Sequence, residues 1–202
     1  MHITVWNDYI CPWAYAARPQ TAWLRSQIDP AAGDVVTVRS FELHPDIPLE
    51  GRENRPGGRL DKVFDHIATE CASRSQGFVK PTRTPNSHAI LALAELVSVR
   101  HPDHFAAFDD AVANAHWIDG AAIDDPTVVR NLLITAGLDP DELTSETAVD
   151  EGEHLLSEAR SDAMDVGATA TPSWQIGDLV VTGLHDDAQF QRWVGRILDR
   201  ST

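Results

Sequence analysis

Two cysteines, Cys11 and Cys71, are the only thiol nucleophiles of this 202-residue chain. Cys11 stands directly before Pro12, where an apolar, strand-like segment gives way to a helical pattern. A sulfur at the start of a helix lies near unpaired N–H groups and the positive end of the helix dipole, which favour a thiolate. We therefore predict a lowered pKa and a nucleophile at neutral pH. The alternative is a buried, apolar cysteine at a strand end.

The elements that would position Cys11 are a strand, a helix and a second strand. Residues 2–6 alternate polar and apolar side chains, which is typical of a short strand. Residues 12–28 follow a helical pattern that begins with a proline, and Pro19 should produce a kink within it. Residues 34–41 are rich in β-branched side chains, which favours a second strand.

The middle of the chain is predicted to be helical, with no strand between residues 58 and 165. Prolines and aspartates at the segment boundaries mark helix starts. The predicted helices cover residues 59–76, 86–100, 102–116, 125–136 and 146–165. Strand character returns at residues 173–176 and 179–182, which a Gly-Asp turn connects, and a helix over 186–199 ends the pattern.

This order of elements predicts the α/β class. A β-α-β opening and a β-β-α ending can form one mixed sheet with helices on its faces. No Gly/Ser-rich linker separates the helical block from the rest, so we interpret it as an insertion. The predicted domains are residues 1–57 together with 166–202, and a helical insertion domain over residues 58–165.

Most of the net charge of -15 lies in one segment, because residues 102–165 contain 16 acidic and only 2 basic residues. We interpret this segment as a solvated helical face. An acidic surface repels phosphate backbones, so we expect no nucleic-acid partner. No apolar run approaches the roughly 20 residues that cross a bilayer, so we expect no membrane partner.

Three segments resemble the DsbA-like branch of the thioredoxin superfamily. They are Asp8-Tyr9-Ile10-Cys11-Pro12-Trp13, Phe41-Glu42-Leu43-His44-Pro45-Asp46-Ile47-Pro48 and Ala170-Thr171-Pro172-Ser173-Trp174. This branch contains cytosolic DsbA-type thiol oxidoreductases, 2-hydroxychromene-2-carboxylate isomerases and kappa-class glutathione transferases. The resemblance covers nearly the whole chain and implies a thioredoxin fold with a long helical insertion. It also implies thiol-disulfide oxidoreductase activity.

The resemblance assigns roles to individual residues. Cys11 matches the nucleophile of the family's C-x-x-C motif, which attacks a disulfide or accepts a thiol as a mixed disulfide. Pro172 matches the family's cis-proline, and Thr171 before it offers backbone hydrogen bonds to an extended thiol partner. The other residues implied to contact the partner are Pro12, Trp13 and Ala14.

Ala14 departs from the family pattern, which has a resolving cysteine at this position. Alanine cannot expel a bound partner, so the dithiol cycle is not available. The chain is then a natural monothiol enzyme that uses glutathione or another small thiol, or a resolving-cysteine mutant of a dithiol enzyme. It could instead be an isomerase- or transferase-like relative in which Cys11 contacts glutathione without redox chemistry, or a non-catalytic module that binds thiol peptides.

Further candidates rest on the same resemblance. Trp13 and Trp174 could form an apolar platform for a substrate, or could pack in the core. His44 follows the second strand and lies on the site side if the family topology holds; otherwise it is a surface histidine.

A second group of candidates lies at a predicted helix start. Arg83, Asn86 and His88 occupy the region that approaches the glutathione site in the isomerase and transferase relatives. Asn86 could equally be an ordinary helix N-cap. Cys71 falls in a predicted helix of the insertion, and we expect it to be structural rather than a distant resolving cysteine.

We predict no metal and no tightly bound cofactor. The histidines lack the spacing of metal ligands, and no glycine-rich phosphate loop is present. A small thiol, glutathione or an equivalent, is the expected co-substrate, and the partner is that thiol or a disulfide-containing substrate. The first residues lack the pattern of a secretory signal and the chain has two cysteines, so we expect a cytoplasmic protein. We expect a monomer or a homodimer.

Overall fold

The computed structural model describes residues 1–201, which form a mixed sheet and a set of helices between two of its strands. The strands are β1 (His2–Asn7), β2 (Val35–Ser40), β3 (Arg52–Glu53), β4 (Arg83–Thr84), β5 (Ser173–Ile176) and β6 (Leu179–Thr182). The helices are α1 (Pro12–Ala16), α2 (Arg18–Arg25), α3 (Arg59–Ser73), α4 (His88–Arg100), α5 (Pro102–Trp117), α6 (Pro126–Thr135), α7 (Pro140–Leu143), α8 (Glu146–Asp165) and α9 (Asp187–Ser201). The α/β class and the helical insertion predicted from the sequence are confirmed.

The four-stranded sheet has the order β2-β1-β5-β6. Strand β1 pairs in parallel with β2 and antiparallel with β5, so that Val5 lies between Val38 and Trp174. Side chains alternate between the two faces of a strand. Ile3 and Val5 accordingly pack on the face covered by α2 and α9, whereas Trp6 lies in a separate cluster on the other face.

Local sequence explains where the first helices begin and end. Pro12 occupies the first turn of α1, where its missing N–H is not needed. Pro19 occupies the first turn of α2, and the helical run is interrupted at Ala17. The predicted kink is therefore a break between two short helices.

Helix α4 is the centre of the helical insertion. Its residues 90–97 are all buried, which is typical of a helix surrounded by other helices. Helix α8 crosses it closely at Gly152. A Cβ at this glycine would lie only 2.9 Å from the carbonyl oxygen of Ala92, so the contact requires the absence of a side chain.

The prediction that the region 58–165 contains no strand is wrong at one position. Strand β4 lies in this region and pairs antiparallel with β3, which precedes it. Each of the two strands has two residues, which is too short for the alternation of polar and apolar side chains to mark a strand. Helix α3 also ends three residues before its predicted end, since Ser75 adopts a positive φ of 55°.

A cluster of aromatic side chains connects the first helix to the insertion. Tyr15 of α1 stacks on Trp117 of α5 with ring centroids 5.4 Å apart, and Phe64 of α3 completes the contact. This packing holds α1 against the insertion. Within residues 1–201, no helix combines the length and the apolar character that crossing a membrane would require.

Candidate active site

Cys11 and Thr171 are 160 residues apart in the sequence and meet at the end of strand β1. The Cys11 Sγ atom donates a hydrogen bond of 3.3 Å to the carbonyl oxygen of Thr171. The sheet brings them together, because the antiparallel pairing of β1 with β5 places Trp6 opposite Ser173. The last residues of β1 and the first residues of β5 therefore lie at the same edge.

The motif that contains Cys11 is held by backbone hydrogen bonds. Cys11 is the N-cap residue of α1 with extended backbone angles. Its N–H donates to the carbonyl oxygen of Asp8 at 3.0 Å, and its carbonyl accepts from the N–H of Tyr15 at 3.1 Å. Ala14 is 4% exposed and faces the interior, while Trp13 is half-buried with its ring 5.4 Å from that of His66. The sulfur thus lies in a turn that backbone hydrogen bonds hold in place. Ala14, the fourth residue of the motif, carries no thiol.

The peptide bond between Thr171 and Pro172 is cis. The carbonyl of Pro172 accepts a hydrogen bond of 2.8 Å from the N–H of Gly183, which fixes the segment against the end of β6. Thr171 is buried, and its hydroxyl oxygen has no hydrogen-bond partner in the part of the chain that the structure describes. A threonine hydroxyl can both donate and accept, so this atom offers a polar contact beside the sulfur.

The predicted lowering of the Cys11 pKa is wrong. Burial raises the pKa of the Cys11 thiol to about 11, because the thiolate loses its hydration. The nearby Thr171 side chain and the backbone N–H groups of Ala14 and Trp13 lower this pKa, but less than burial raises it. The helix N-terminus favours the anion as expected, yet the sulfur is only 2% exposed, and the cost of desolvation is larger.

Asp8 is a buried carboxyl group beside Cys11 that the sequence analysis did not single out. It is 1% exposed and accepts hydrogen bonds from the N–H groups of Ile10 at 3.2 Å and Leu43 at 2.9 Å. Burial raises its pKa to about 6 in spite of these bonds. Its negative charge contributes to the raised pKa of Cys11. The sequence does contain a signal for Asp8. It is an acidic residue that directly follows an apolar strand, three positions before the cysteine.

A polar cavity of about 380 Å³ opens beside the motif. It is lined by Trp13, by side chains of α3 and by the segment between β6 and α9. The charged and titratable residues of its wall are His66, Glu70, Arg74, His185, Asp186 and Asp187. Arg74 is already paired with Glu70 and Asp187, so the carboxylates outnumber the free cations.

Two of the weaker candidates lie in surroundings that the structure defines clearly. Trp174 is fully buried and donates from its indole N–H to the hydroxyl of Thr21 at 3.0 Å. It packs in the sheet core, so the substrate platform proposed for it together with Trp13 is wrong. His44 is exposed on the segment after β2, and its role as a binding residue stays a prediction.

Asn86 and its neighbours form hydrogen bonds and an ion pair just before the N-terminus of α4. The Asn86 amide donates to the carbonyl of Ile47 at 2.6 Å, and its oxygen accepts from the N–H of His88 at 3.0 Å. Arg83 forms a two-pronged ion pair with Asp124. These contacts account for Asn86 and Arg83 within the protein, and a role in binding a thiol stays a prediction. His88 has a different environment and faces two carboxylates.

Cys71 lies on α3 inside the aromatic cluster and is fully buried. Both cysteines are free thiols and are not near each other. Among residues 1–201, no group of three or more histidine, cysteine or acidic side chains is arranged to hold a metal ion.

A sheet of this order, a cysteine at the first helix N-terminus and a cis-proline facing it define a thioredoxin-like protein with a helical insertion. Residues 2–194 match the family of DSBA-like thioredoxin domains. The chain belongs to this family, as its resemblance to the DsbA-like branch implied. No curated protein sequence is significantly similar to it.

Three solved structures illustrate the proteins that share this fold. A probable DsbA oxidoreductase from Streptomyces coelicolor has a TM-score of 0.84 at 19% identity, over 100% of this chain and 92% of that one. A 2-hydroxychromene-2-carboxylate isomerase has a TM-score of 0.74 at 16% identity, over 100% and 98%. The cytosolic disulfide reductase DsbM from Pseudomonas aeruginosa, solved with GSH, has a TM-score of 0.66 at 16% identity, over 98% and 100%. At these identities the likeness concerns the fold.

Proposed function

We propose that the protein is a thiol-disulfide oxidoreductase that acts through the single nucleophile Cys11 and a small external thiol. The observation that carries this proposal is the 3.3 Å contact between the Cys11 sulfur and the carbonyl of Thr171, directly before a cis-proline. Thiol-disulfide exchange needs a thiolate that reaches the partner disulfide, and a backbone edge beside that sulfur can hold an extended partner in place. Thr171 supplies that edge, and Pro172 fixes its direction.

The reaction consists of two exchanges. The Cys11 thiolate attacks one sulfur of a partner disulfide, so that a mixed disulfide forms at Cys11 and the other partner sulfur leaves as a thiolate. A second external thiolate then attacks the partner sulfur of the mixed disulfide. It forms a new external disulfide and returns the Cys11 thiolate. The buried methyl group of Ala14 has no part in the second step, which is why an external thiol is required.

The negative charge of Asp8 opposes the ionisation of the Cys11 thiol. At neutral pH the raised pKa of Cys11 keeps the sulfur protonated, whereas Asp8, with a pKa of about 6, is mostly ionised. Protonation of Asp8 removes this negative charge and therefore favours the thiolate.

The proposal is tested by exposing the protein to glutathione disulfide and measuring its intact mass. We expect one glutathione adduct, located at Cys11, that is removed by added glutathione. The variant Cys11→Ser should form no adduct, and the matched variant Cys71→Ser should behave as the unchanged protein. If no adduct forms at any pH between 6 and 9, the proposal is refuted. The isomerase or transferase and the module that only binds thiol partners would then remain.

The alanine at position 14 can be tested separately. The variant Ala14→Cys supplies a thiol at the position of the family's resolving cysteine. If the surrounding geometry is that of a dithiol enzyme, the adduct at Cys11 should give way to an internal disulfide. A stable glutathione adduct in this variant would indicate that the site functions with one cysteine and that alanine at position 14 is compatible with this mechanism.

A glutathione-dependent isomerase or transferase is the second candidate. The absence of a thiol at position 14 favours it, since such a reaction needs no resolving step. In that case turnover should survive in Cys11→Ser, because a serine hydroxyl can hydrogen-bond to the glutathione sulfur. Loss of all turnover in this variant would exclude it.

The proposed co-substrate is a small thiol such as glutathione, and the proposed location is the cytoplasm. One structural neighbour is a cytosolic disulfide reductase solved with GSH. The two free cysteines of the chain are also compatible with a reducing compartment.

A further inference from the structure

A groove of about 420 Å³ lies between helix α2, the segment that follows α3, and helix α5. A volume of this size is typical of sites that bind small molecules. Neither Cys11 nor Thr171 lines it, so it is distinct from the candidate active site. The side chains of α2 in its wall include Arg18, Thr21, Ala22 and Arg25, and we call it the α2 groove.

These four residues share one face of α2, because positions three and four apart are neighbours on a helix surface. Arg18 and Arg25 are two helical turns apart, which is about 10 Å along the helix axis. Only the small side chains of Thr21 and Ala22 lie between them on this face. The two guanidinium groups therefore belong to opposite ends of the groove.

The Arg18 end of the groove has a net negative charge. The Arg18 Nη2 atom lies 2.7 Å from the carboxylate of Asp109 and also pairs with that of Asp110. Both aspartates line the groove, so two carboxylates face one guanidinium. The Asp110 side chain is 70% exposed and can contact a molecule in the groove.

The Arg25 end of the groove has a positive charge that no carboxylate compensates. Arg25 is exposed, and it forms no ion pair within the part of the chain that the structure describes. Arg74 also lines the groove, but its charge is compensated by Glu70 and Asp187. The groove thus has one negative and one positive end.

The segment after α3 contributes neutral polar side chains to the same groove. Ser75 has a positive φ of 55°, directly after a helix end, where glycine is the usual residue. Serine places a hydroxyl in the wall that glycine would not supply. The Gln76 side chain is held by a hydrogen bond of 2.8 Å from its Nε2 atom to the carbonyl of Tyr15. These two residues add hydrogen-bonding groups without changing the charge of either end.

We propose that the α2 groove binds a small zwitterion whose ammonium and carboxylate groups are at opposite ends, as in an ω-amino acid or a short peptide. The ammonium group pairs with the carboxylates of Asp109 and Asp110, and the carboxylate pairs with Arg25. Charge-assisted hydrogen bonds of this kind are the strong ones in proteins. A molecule with only one charged group matches only one end of the groove. This inference is independent of the function proposed for Cys11.

The test is a titration of the ¹⁵N-labelled full chain, followed by the chemical shifts of its amide groups. The probes are 6-aminohexanoate and triglycine, which carry both charges, and hexanoate and hexylamine, which carry one each. Both zwitterions should give saturable shifts at Thr21, Ala22, Ser75 and Gln76. The single-charge probes should bind at least about tenfold more weakly, since they lose a hydrogen bond between charged groups.

The comparison of the two zwitterions distinguishes the two sources of this chemistry. Tighter binding of triglycine would identify a peptide, and tighter binding of 6-aminohexanoate would identify an ω-amino acid. If hexanoate or hexylamine binds as tightly as the zwitterions, the proposal is overturned, because one end would then suffice. Shifts that do not saturate, or that fall outside the groove, would overturn it as well.

Substitutions test each end of the groove separately. Arg25→Gln and Asp110→Asn should each lower the affinity for 6-aminohexanoate about tenfold. Ala22→Phe should abolish binding without any change of charge, because its ring would fill the groove. An unchanged affinity in any of these three variants would contradict the assignment.

The matched controls lie on α8, outside the groove. Arg160→Gln and Asp150→Asn remove an exposed arginine and an exposed aspartate, and they should leave the affinity unchanged. An equal loss of affinity in these controls would mean that the overall charge of the protein, and not the two ends of the groove, governs binding, and it would overturn the proposal. The amide spectrum of each variant also reports directly whether it is folded.

Discussion

Replacing Asp8 by asparagine should make the stability of the protein less dependent on pH between about pH 4 and pH 6. The carboxyl group is fully buried and has a pKa of about 6, compared with an ordinary value of 3.8. Asparagine has nearly the same shape and cannot ionise. The substitution therefore removes one titration and leaves the other carboxylates in place.

The sign and size of the effect follow from proton linkage. Between pH 3.8 and pH 6 the folded protein holds a proton on Asp8 that the unfolded chain has released, so stability falls as the pH rises. This favourable contribution is complete below pH 3.8 and is lost above pH 6. The folded and unfolded pKa values of Asp8 differ by about 2, and each pKa unit corresponds to about 1.4 kcal/mol. The free energy of unfolding therefore falls by about 3 kcal/mol as the pH rises through this range.

The assay is urea unfolding of the unchanged protein and of Asp8→Asn at pH values from 3.5 to 7.5. The asparagine amide also changes the hydrogen bonds to Ile10 and Leu43, but this contribution does not vary with pH. The variant should therefore gain about 3 kcal/mol relative to the unchanged protein between the two ends of the range. Asp178→Asn, at the exposed turn after β5, should show no such trend. A difference for Asp8→Asn that stays constant with pH would refute the reasoning.

Three further predictions concern packing, charge and reactivity. Gly152→Ala should destabilise the protein by about 1–3 kcal/mol in urea unfolding, because its Cβ would overlap a carbonyl of α4. Gly195→Ala, on α9 with open space around it, should stabilise by about 0.5–1 kcal/mol. Arg18→Gln should cost about 3–5 kcal/mol since it leaves a buried carboxylate of α5 unpaired, whereas Arg130→Gln, in an exposed pair, should cost less than about 1 kcal/mol. Alkylation of Cys11, followed by peptide mass, should be slow at pH 7 and should accelerate towards pH 11; rapid, pH-independent alkylation would contradict its raised pKa.

The order of the elements could be predicted from the sequence because the signals for it are local. The alternation over residues 2–6 predicted β1, and the β-branched run at 34–41 predicted β2. Each predicted strand end lies within one residue of the observed end. Prolines marked the starts of α1, α5 and α6, since a proline fits the first turn of a helix. The same signals placed Cys11 at a helix start, within the motif that resembles the family.

The sign of the Cys11 pKa shift could not be predicted in this way. The helix N-terminus favours the thiolate whatever lies around it, and that part is visible in the sequence. The opposing effect comes from burial beneath the Thr171 segment and from the charge of Asp8. Burial depends on what the rest of the chain places over the sulfur, and the sequence pattern near Cys11 does not report it.

The sequence by itself determined that Cys11 stands at a helix start, that position 14 carries no thiol, and which elements follow each other. Only the tertiary structure decided how the Cys11 thiol ionises and which groups surround it. The physical reason is that strand and helix preferences act between neighbouring residues, whereas desolvation and charge interactions act through space. The contacts of Cys11 with Thr171 and of Glu42 with His88 join residues far apart in the chain, and they exist only when the sheet and the insertion are assembled.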